Sequence, residues 1–551
     1  MARPTLDDPL YYLHNFRFVL RWLETRYTDL LADDERAFIE DFAALPEASQ
    51  ALLVRMTMRK GALFRASRLR YAEIGDTPSA AAPLIERGFV EAGPPLSLEA
   101  LFGLLTKAEL ARLFGERLTA LGLGQARKDA WLTALGEAFT EPRTPPEWGL
   151  DDEPVYALHV EALGERLRLM FFGNLRQDWS EFVLADLGVA RYEPVDFSPA
   201  SRAFQQRDEI DTYLHLQRCR ERLDAEEAPV TIRVDVPDTA LANPWLEARR
   251  ARLLYRLAQQ AERRHELTAA ETLYAESAHP GARGRRLRML ERLERFEAAL
   301  ALAREIHEAP ESEAERQQVR RVLPRLHRRL GLARPSPAAT SPVVRLDLTL
   351  PPGPGRVEFA VRRHLATPEG PVHYVENTLI GGLFGLLCWD AIFAPLPGAF
   401  FHPFQSGPAD LGRADFRERR AALFDACLAR LDDGTYRQTI RRHHRAKAGR
   451  LSPFVDWAVL DDTLLEQALT CLPPAHLRLC FERLLDDVTA NRAGLPDLIQ
   501  LWPDAGRYRM IEVKGPGDRL QDNQRRWLDF FHRHGMPVAV CHVRWAEAGE
   551  A

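Results

Sequence analysis

Apolar positions recur at helical spacing over most of this chain and at strand spacing only towards its C-terminal end. Near the start, Tyr11, Leu13, Phe16, Phe18, Val19, Trp22 and Leu23 return every three or four residues, which predicts an amphipathic helix. Asp33-Asp34-Glu35 puts acids where a second helix would begin, so residues 1 to about 90 read as helical. Gly93-Pro94-Pro95 marks a boundary. Past it, Leu96 to Leu110 and Lys128 to Leu135 read as two short amphipathic helices around a Gly-rich turn, Leu121-Gly-Leu-Gly. Residues 146 to 200 open Pro- and acid-rich and continue in aromatic-rich apolar patches that carry no chemical signal. Residues 205 to 332 are again strongly helical and Arg-rich. The segment from Arg334 to Pro342 is rich in Pro and small residues that cannot build a core, so it reads as a linker. Val343 to Leu350 then alternates as a strand and opens the last region.

Within the helical stretch, Glu266 to Ser277 and Arg295 to Ile306 resemble successive repeat helices offset by about 29 residues. Small residues at their contacts suit a stacked helical-hairpin array of tetratricopeptide type. The helix, Gly-containing turn, basic residue, helix order after Pro95 is similar to a SAP-type DNA-binding module; a plain helical hairpin explains it nearly as well. The expected class is therefore multidomain and mainly α. Its parts are an N-terminal helical domain (1–92), a SAP-like module (93–145), a connecting segment (146–204), a tetratricopeptide-like helical-repeat domain (205–333) and a C-terminal α/β domain (343–551). A length of 551 residues accommodates this, at roughly 150 residues per domain.

Composition excludes a disordered chain, since 46% of residues are apolar and 28% charged. The longest apolar run, Leu379 to Leu396, is interrupted by Gly381, Gly382 and Asp390, so no membrane span is expected. The first residues show no charged segment feeding an apolar one, so no secretory signal is expected either. Six cysteines without a C-x-x-C pair argue against a zinc site or a disulfide scaffold and fit a reducing cytoplasm. The net charge of −5 hides local basic fields: residues 411 to 450 hold eleven Lys/Arg against five Asp/Glu. Arg55, Arg59, Lys60, Arg65, Arg68 and Arg70 form another, read either as a solvated helix face or as a phosphate-tracking surface. Arg283, Arg285, Arg286 and Arg288 offer the same choice, with solvated charge the commoner case. Only five residues are lysines (60, 107, 128, 447 and 514), so a Lys here is less readily explained as filler charge than an Arg.

The chemistry concentrates in Gly494-Leu-Pro-Asp-Leu-Ile-Gln-Leu-Trp and Tyr508-Arg-Met-Ile-Glu-Val-Lys-Gly, with Pro503-Asp-Ala-Gly between them as a turn. Folded symmetrically about that turn, the segments form an antiparallel hairpin in which Asp497 faces Glu512. Opposed residues on one face have Cβ atoms about 4.5–5.5 Å apart. The strand period puts Lys514 on the face of Glu512. Two carboxylates that close repel unless one is protonated or a cation lies between them. Hard oxygen ligands favour Mg²⁺ or Mn²⁺, which neutralise phosphate charge and acidify a bound water. Lys514 then orients that water or stabilises developing charge. The Val513 carbonyl is a further candidate ligand. Glu376 adds a carboxylate at the head of an apolar helix starting just after Pro371 and His373. Gln524, one turn before Trp527 on a following helix, faces the same site. The plain alternatives are a surface hairpin with an ordinary Glu–Lys pair and a helix-capping role for Glu376. His373, His443 and His444 are needed neither as ligands nor as a base. Arg441-Arg-His-His-Arg-Ala-Lys reads as a cradle for a DNA backbone or as a solvated helix end.

Pro496-Asp497 followed by Glu512-x-Lys514 is the pattern of the PD-(D/E)XK nucleases. The run Glu512-Val-Lys-Gly-Pro-Gly-Asp-Arg-Leu-Gln-Asp-Asn-Gln-Arg-Arg-Trp-Leu closely resembles a VRR-NUC signature. Tyr11-Tyr-Leu-His-Asn-Phe, Val54-Arg-Met-Thr-Met-Arg-Lys-Gly, His402-Pro-Phe-Gln and Pro453-Phe-Val-Asp-Trp extend the resemblance to the Fanconi-associated nuclease family over nearly the whole chain. The resemblance implies a bacterial, cytoplasmic and nucleoid-associated, structure-specific DNA nuclease. It would act as a 5′-flap endonuclease and 5′→3′ exonuclease in interstrand crosslink repair, with Mn²⁺ or Mg²⁺ as cofactor and branched or flapped double-stranded DNA as partner. It implies Glu376, Asp497, Glu512 and the Val513 carbonyl as metal ligands, Lys514, Asp497 and Glu512 as catalytic residues, and Gln524 in support. Candidate DNA contacts are Arg59, Lys60, Arg65, Lys107, Lys128, Arg441, Arg442, Arg445 and Lys447. A catalytically dead branched-DNA scaffold and a protein-binding helical adaptor are the two other readings, and the intact acid set counts against the first.

Overall fold

The computed structural model describes residues 8–151, 153–333 and 343–546. The proposed linker at 334–342 lies outside the described residues, as do the first seven. The chain divides into two compact units: Met1–Ala190 with Arg202–Ile210, and Arg191–Ser201 with Asp211–Ala551.

The first unit opens with helices Tyr11–Arg26, Asp33–Ala44 and Glu47–Thr57. Its helical reading needs one correction. The Arg55 to Arg70 stretch is no helix face: the helix stops at Thr57 and the chain enters β1 (Leu63–Arg65). A short antiparallel sheet forms in the order β1-β3-β2, with β2 at Val90–Ala92 and β3 at Val155–Leu158. Strands this short hold too few alternating positions to announce themselves. The SAP-like segment has three helices rather than two, Leu98–Leu104, Lys107–Ala120 and Lys128–Gly136. Thr106 breaks the first from the second by capping it reciprocally with Glu109. Leu101, Phe102, Leu110, Trp131 and Trp148 give this module its own core.

In the second unit, helices Pro244–Arg263, Leu267–Glu276, Ala282–Arg292, Phe296–Glu308 and Glu313–Arg329 follow one another in an array. Several of its arginines serve the array. Arg283 reaches Glu315 at 2.7 Å, Arg286 reaches Glu271 at 2.7 Å and Arg285 reaches Glu262 at 3.4 Å. Arg288 stays exposed. The segment 191–201, assigned nothing from sequence, docks on this unit: Leu451 N–H donates to the Arg191 carbonyl, and Val195 and Phe197 pack on the main core.

A mixed five-stranded sheet ends the chain, ordered β4 (Val344–Leu350), β8 (Val538–Trp545), β7 (Arg507–Lys514), β6 (Leu498–Trp502), β5 (Val372–Tyr374). β8 runs parallel to β4 and β7, whereas β6 is antiparallel to β5 and β7. Both faces are buried except along the edge strand β4. Ile511, Val513, Cys541 and Val543 pack with Val361 of helix Val357–Leu365. Tyr508, Met510, Val538 and Val540 pack on the other face with the helices between β5 and β6. One of these, Leu379–Leu387, fills the core with the apolar run noted in the sequence. Among the described residues no helix is long and apolar enough to cross a membrane.

Candidate active site

The face of β7 that carries Tyr508 and Met510 continues, at period two, to Glu512 and Lys514. An apolar stripe running into the core thus ends in two buried ionisable groups, at 1% and 7% exposure. The hairpin register has the expected symmetry, with Trp502 opposite Arg507 and Leu498 opposite Ile511. Asp497 lies one residue beyond the last pair, on the side of Glu512. Its backbone is fixed by Val375 N–H, which donates to the Asp497 carbonyl at 2.9 Å. Its side chain is fixed by Val513 N–H, which donates to Oδ2 at 2.8 Å. Gly494 sets the path into this turn. Its φ is +95°, and a Cβ there would stand 2.7 Å from the backbone carbon of Asn523.

Lys514 Nζ stands 2.9 Å from Glu512 Oε1, an ion-pair distance, and donates to Gln524 Oε1 at 3.1 Å. Gln524 therefore turns towards the site, and Trp527 packs inward as expected. Both Glu512 oxygens are buried, Oε1 facing only the Lys514 ammonium and Oε2 without a hydrogen-bond partner. Burial, then the charge of Asp497, pushes the Glu512 carboxyl up to about 8, against the pull of Lys514. Burial pushes Asp497 up to about 6; the Val513 N–H opposes this, and Glu376 and Glu358 add to it.

Glu376 departs from its expected setting. Val372–Tyr374 is strand β5, so His373 lies in a strand and the helix begins only at Leu379. Glu376 sits exposed in the turn between them, where Asn377 takes φ +56° and the Tyr374 hydroxyl donates to Glu376. The helix acid that sequence reasoning missed is Glu358, in the first turn of Val357–Leu365. Its Oε2 is buried without a hydrogen-bond partner, and its charge reaches Asp497. An acid opening a short amphipathic helix was the available signal.

Among the described residues no three His, Cys, Asp or Glu side chains already stand grouped around an ion position. The donor set nevertheless suits a hard divalent cation: partnerless buried carboxylate oxygens beside a second raised carboxyl, with Glu376 and Glu358 close enough to act on it. The histidines are held structurally. His373 Nε2 meets Gln467 Oε1 at 2.8 Å, His443 Nδ1 meets the Leu386 carbonyl at 2.6 Å and His444 Nε2 meets the Leu460 carbonyl at 2.9 Å.

The candidate DNA contacts divide. Arg59, Lys60, Lys107, Arg442 and Arg445 are exposed, Arg59 also donating to the Arg68 carbonyl at 2.8 Å. Arg65 is enclosed by Glu109 and Glu153 at 2.8 and 2.9 Å. Lys128 donates to the Leu105 carbonyl at 2.9 Å, and Lys107 lies 4.9 Å over the Trp131 ring. Arg441 grips Glu466 at 2.6 and 2.7 Å, and Lys447 is paired with Glu193.

Three family models match the chain: "FAN1, HTH domain" over residues 10–91, "Fanconi anemia-associated nuclease SAP domain" over 95–148 and "VRR-NUC domain" over 431–545. A Fanconi-associated nuclease 1 homolog from Pseudomonas aeruginosa is 60% identical over 98% of this chain and 97% of its own length. A homolog from rice is 25% identical over 97% of this chain and 62% of its length. The structure is similar to a crystal structure of paFAN1 bound to 5′-flap DNA with a 2-nucleotide flap and a gap. The TM-score is 0.95 at 60% identity, covering 99% of this chain and 100% of that one.

Proposed function

This chain belongs to the Fanconi-associated nuclease family, and on that premise we propose that it cuts 5′-flapped and branched DNA at the carboxylates around the Asp497–Glu512 hairpin. It is a structure-specific nuclease and a metal-dependent hydrolase. The observation that carries the site assignment is Glu512, a buried carboxyl raised in pKa beside Asp497, with Lys514 on one oxygen and no partner on the other. A folded enzyme keeps such a group where a ligand will use it.

Asp497, Glu512, the Val513 carbonyl and Glu376 would hold the cation, Mn²⁺ or Mg²⁺, with Glu358 as a further carboxylate. When bound, the cation neutralises phosphate charge and acidifies water. Asp497 keeps its place because Val513 N–H holds one oxygen, leaving the other free to ligate. Lys514, oriented by Gln524, presents its ammonium to the charge that grows on the phosphate oxygens. Water attacks phosphorus in line and the bond to the 3′ oxygen breaks, leaving a 5′ phosphate and a 3′ hydroxyl. Arg59, Lys60, Arg442 and Arg445 serve the DNA backbone. Lys107, also exposed, can join them, whereas Arg65, Lys128, Arg441 and Lys447 are held by partners within the chain. Flap cutting and 5′→3′ degradation, in interstrand crosslink repair at the nucleoid, complete the proposal.

The test is cleavage of a labelled 5′-flap duplex with Mn²⁺ or Mg²⁺ by the wild type and Asp497→Ala. Metal-dependent cutting that disappears in the variant supports the assignment. Equal cutting by both moves the active site elsewhere.

A further inference from the structure

Gln524 is the third residue of helix Asp522–Arg533, and its Oε1 accepts from both Lys514 Nζ and the Gln521 N–H, at 3.1 and 2.8 Å. The position of Lys514 therefore depends on where this helix starts. Its first turn is held from two sides. On one side lies the Gly494 backbone, in the close approach described above. On the other lies helix Glu313–Arg329, the last of the helical array. Arg321 grips the Asp522 carboxylate with two hydrogen bonds, at 2.6 and 2.7 Å. Gln317, one turn earlier, donates to the Asp522 carbonyl at 3.3 Å and accepts from Arg526 at 2.9 Å. Residues four apart on one helix thus interlock with residues four apart on the other.

A deeper contact keeps the two helices together without these groups. Arg483, 4% exposed, pairs with Glu313 and lies 4.6 and 4.4 Å over the Trp527 and Phe530 rings. Arg321 and Asp522 are by contrast half exposed, so their pair adds little to stability. A paired fork at the start of a helix instead fixes direction. We infer that Arg321 and Gln317 are positioning residues: through Asp522 and Gln524 they aim the Lys514 ammonium, so the last repeat helix sets the turnover of the nuclease site some 200 positions away.

This inference rests on the reading of Lys514 as catalytic, and the experiment separates the two. In full-length protein, Arg321→Ala, Arg321→Lys, Gln317→Ala, Lys514→Ala and the exchange Arg321→Asp with Asp522→Arg are assayed on a 5′-flap duplex at saturating Mn²⁺. The readouts are kcat, KM, the pH profile of kcat and the thermal midpoint. Arg321→Ala and Gln317→Ala each lower kcat about three- to tenfold and move the basic limb of the profile, with KM and the midpoint near wild type. Arg321→Lys falls between, because an ammonium cannot make the paired contact, and the exchange recovers most of the loss. Wild-type kcat in Arg321→Ala and Gln317→Ala, or a loss confined to KM or to thermal stability, overturns the inference while leaving the site intact. Full activity in Lys514→Ala overturns the catalytic reading itself.

Discussion

Loading the site with a divalent cation at pH 7 expels about one proton, and Glu512→Gln abolishes that release. The magnitude follows from the two carboxyls. Glu512, pushed up to about 8, carries its proton nearly all the time at pH 7, whereas Asp497, at about 6, has largely lost its own. A cation needs both as carboxylates, so Glu512 supplies almost the whole release. The same group ties fold stability to pH. Its folded pKa lies above the ordinary carboxylate value, so the folded state binds more protons over the interval between them. The contribution to stability is complete below about pH 4 and is lost as pH rises towards 8. By pH 7 the metal-free protein has forgone on the order of 3 kcal/mol, at 1.36 kcal/mol per pKa unit. Calorimetric titration of Mn²⁺ into DNA-free protein, in two buffers of different ionisation enthalpy, counts the proton. Release falls from about one at pH 7 towards zero by pH 9, and Glu512→Gln raises the metal-free thermal midpoint at pH 7.5. A buffer-independent binding heat at pH 7 in the wild type would refute the reasoning.

Three further perturbations test other parts of the structure. Gly494→Ala drives a Cβ into the Asn523 backbone at φ +95°, so cleavage drops at least tenfold; activity within a factor of two would show that the close approach is dispensable. Arg442→Ala and Arg445→Ala each reduce the slope of log affinity against log salt by about one. Arg441→Ala and Lys447→Ala leave that slope unchanged because Glu466 and Glu193 already engage those charges; the opposite pattern in flap-binding isotherms would reassign the DNA surface. Arg420→Ala strands the fully buried Asp410 carboxylate with only Arg419 beside it, costing on the order of 3 kcal/mol in denaturant unfolding. A loss below about 1 kcal/mol would mean that Arg419 suffices.

The elements the sequence disclosed are those set by local rules. The hairpin register followed from a single turn and the strand period, so Asp497 and Glu512 could be matched before any tertiary information. The helix at Tyr11 and the repeat helices were legible for the same reason. The three-stranded sheet of the first unit was not, because β3 takes its partners from strands about 90 and 65 residues earlier. Charge was legible along the chain, but its use was not. Arg65 looks like a phosphate contact until Glu109 and Glu153, 44 and 88 positions on, enclose it.

The carboxylates show where local reasoning stops. The sequence puts Glu376 at the head of a helix because the apolar run begins beside it, at Val375. The strand pairing of His373 with Ile499 and the left-handed turn at Asn377 delay that helix to Leu379. Glu358 gave the same sequence signal, an acid opening an amphipathic helix, in a place where nothing local connected it to Asp497. Only the sheet does so, by bringing helix Val357–Leu365 over the ends of β6 and β7 through the shared core of Val361, Leu498 and Ile511. The candidate site is therefore half a local object and half a product of topology. The hairpin supplies the pair whose repulsion calls for a cation. The carboxylates whose charge reaches the pair, Glu358 and Glu376, come from segments more than a hundred residues earlier, and the sequence shows their chemistry without their address.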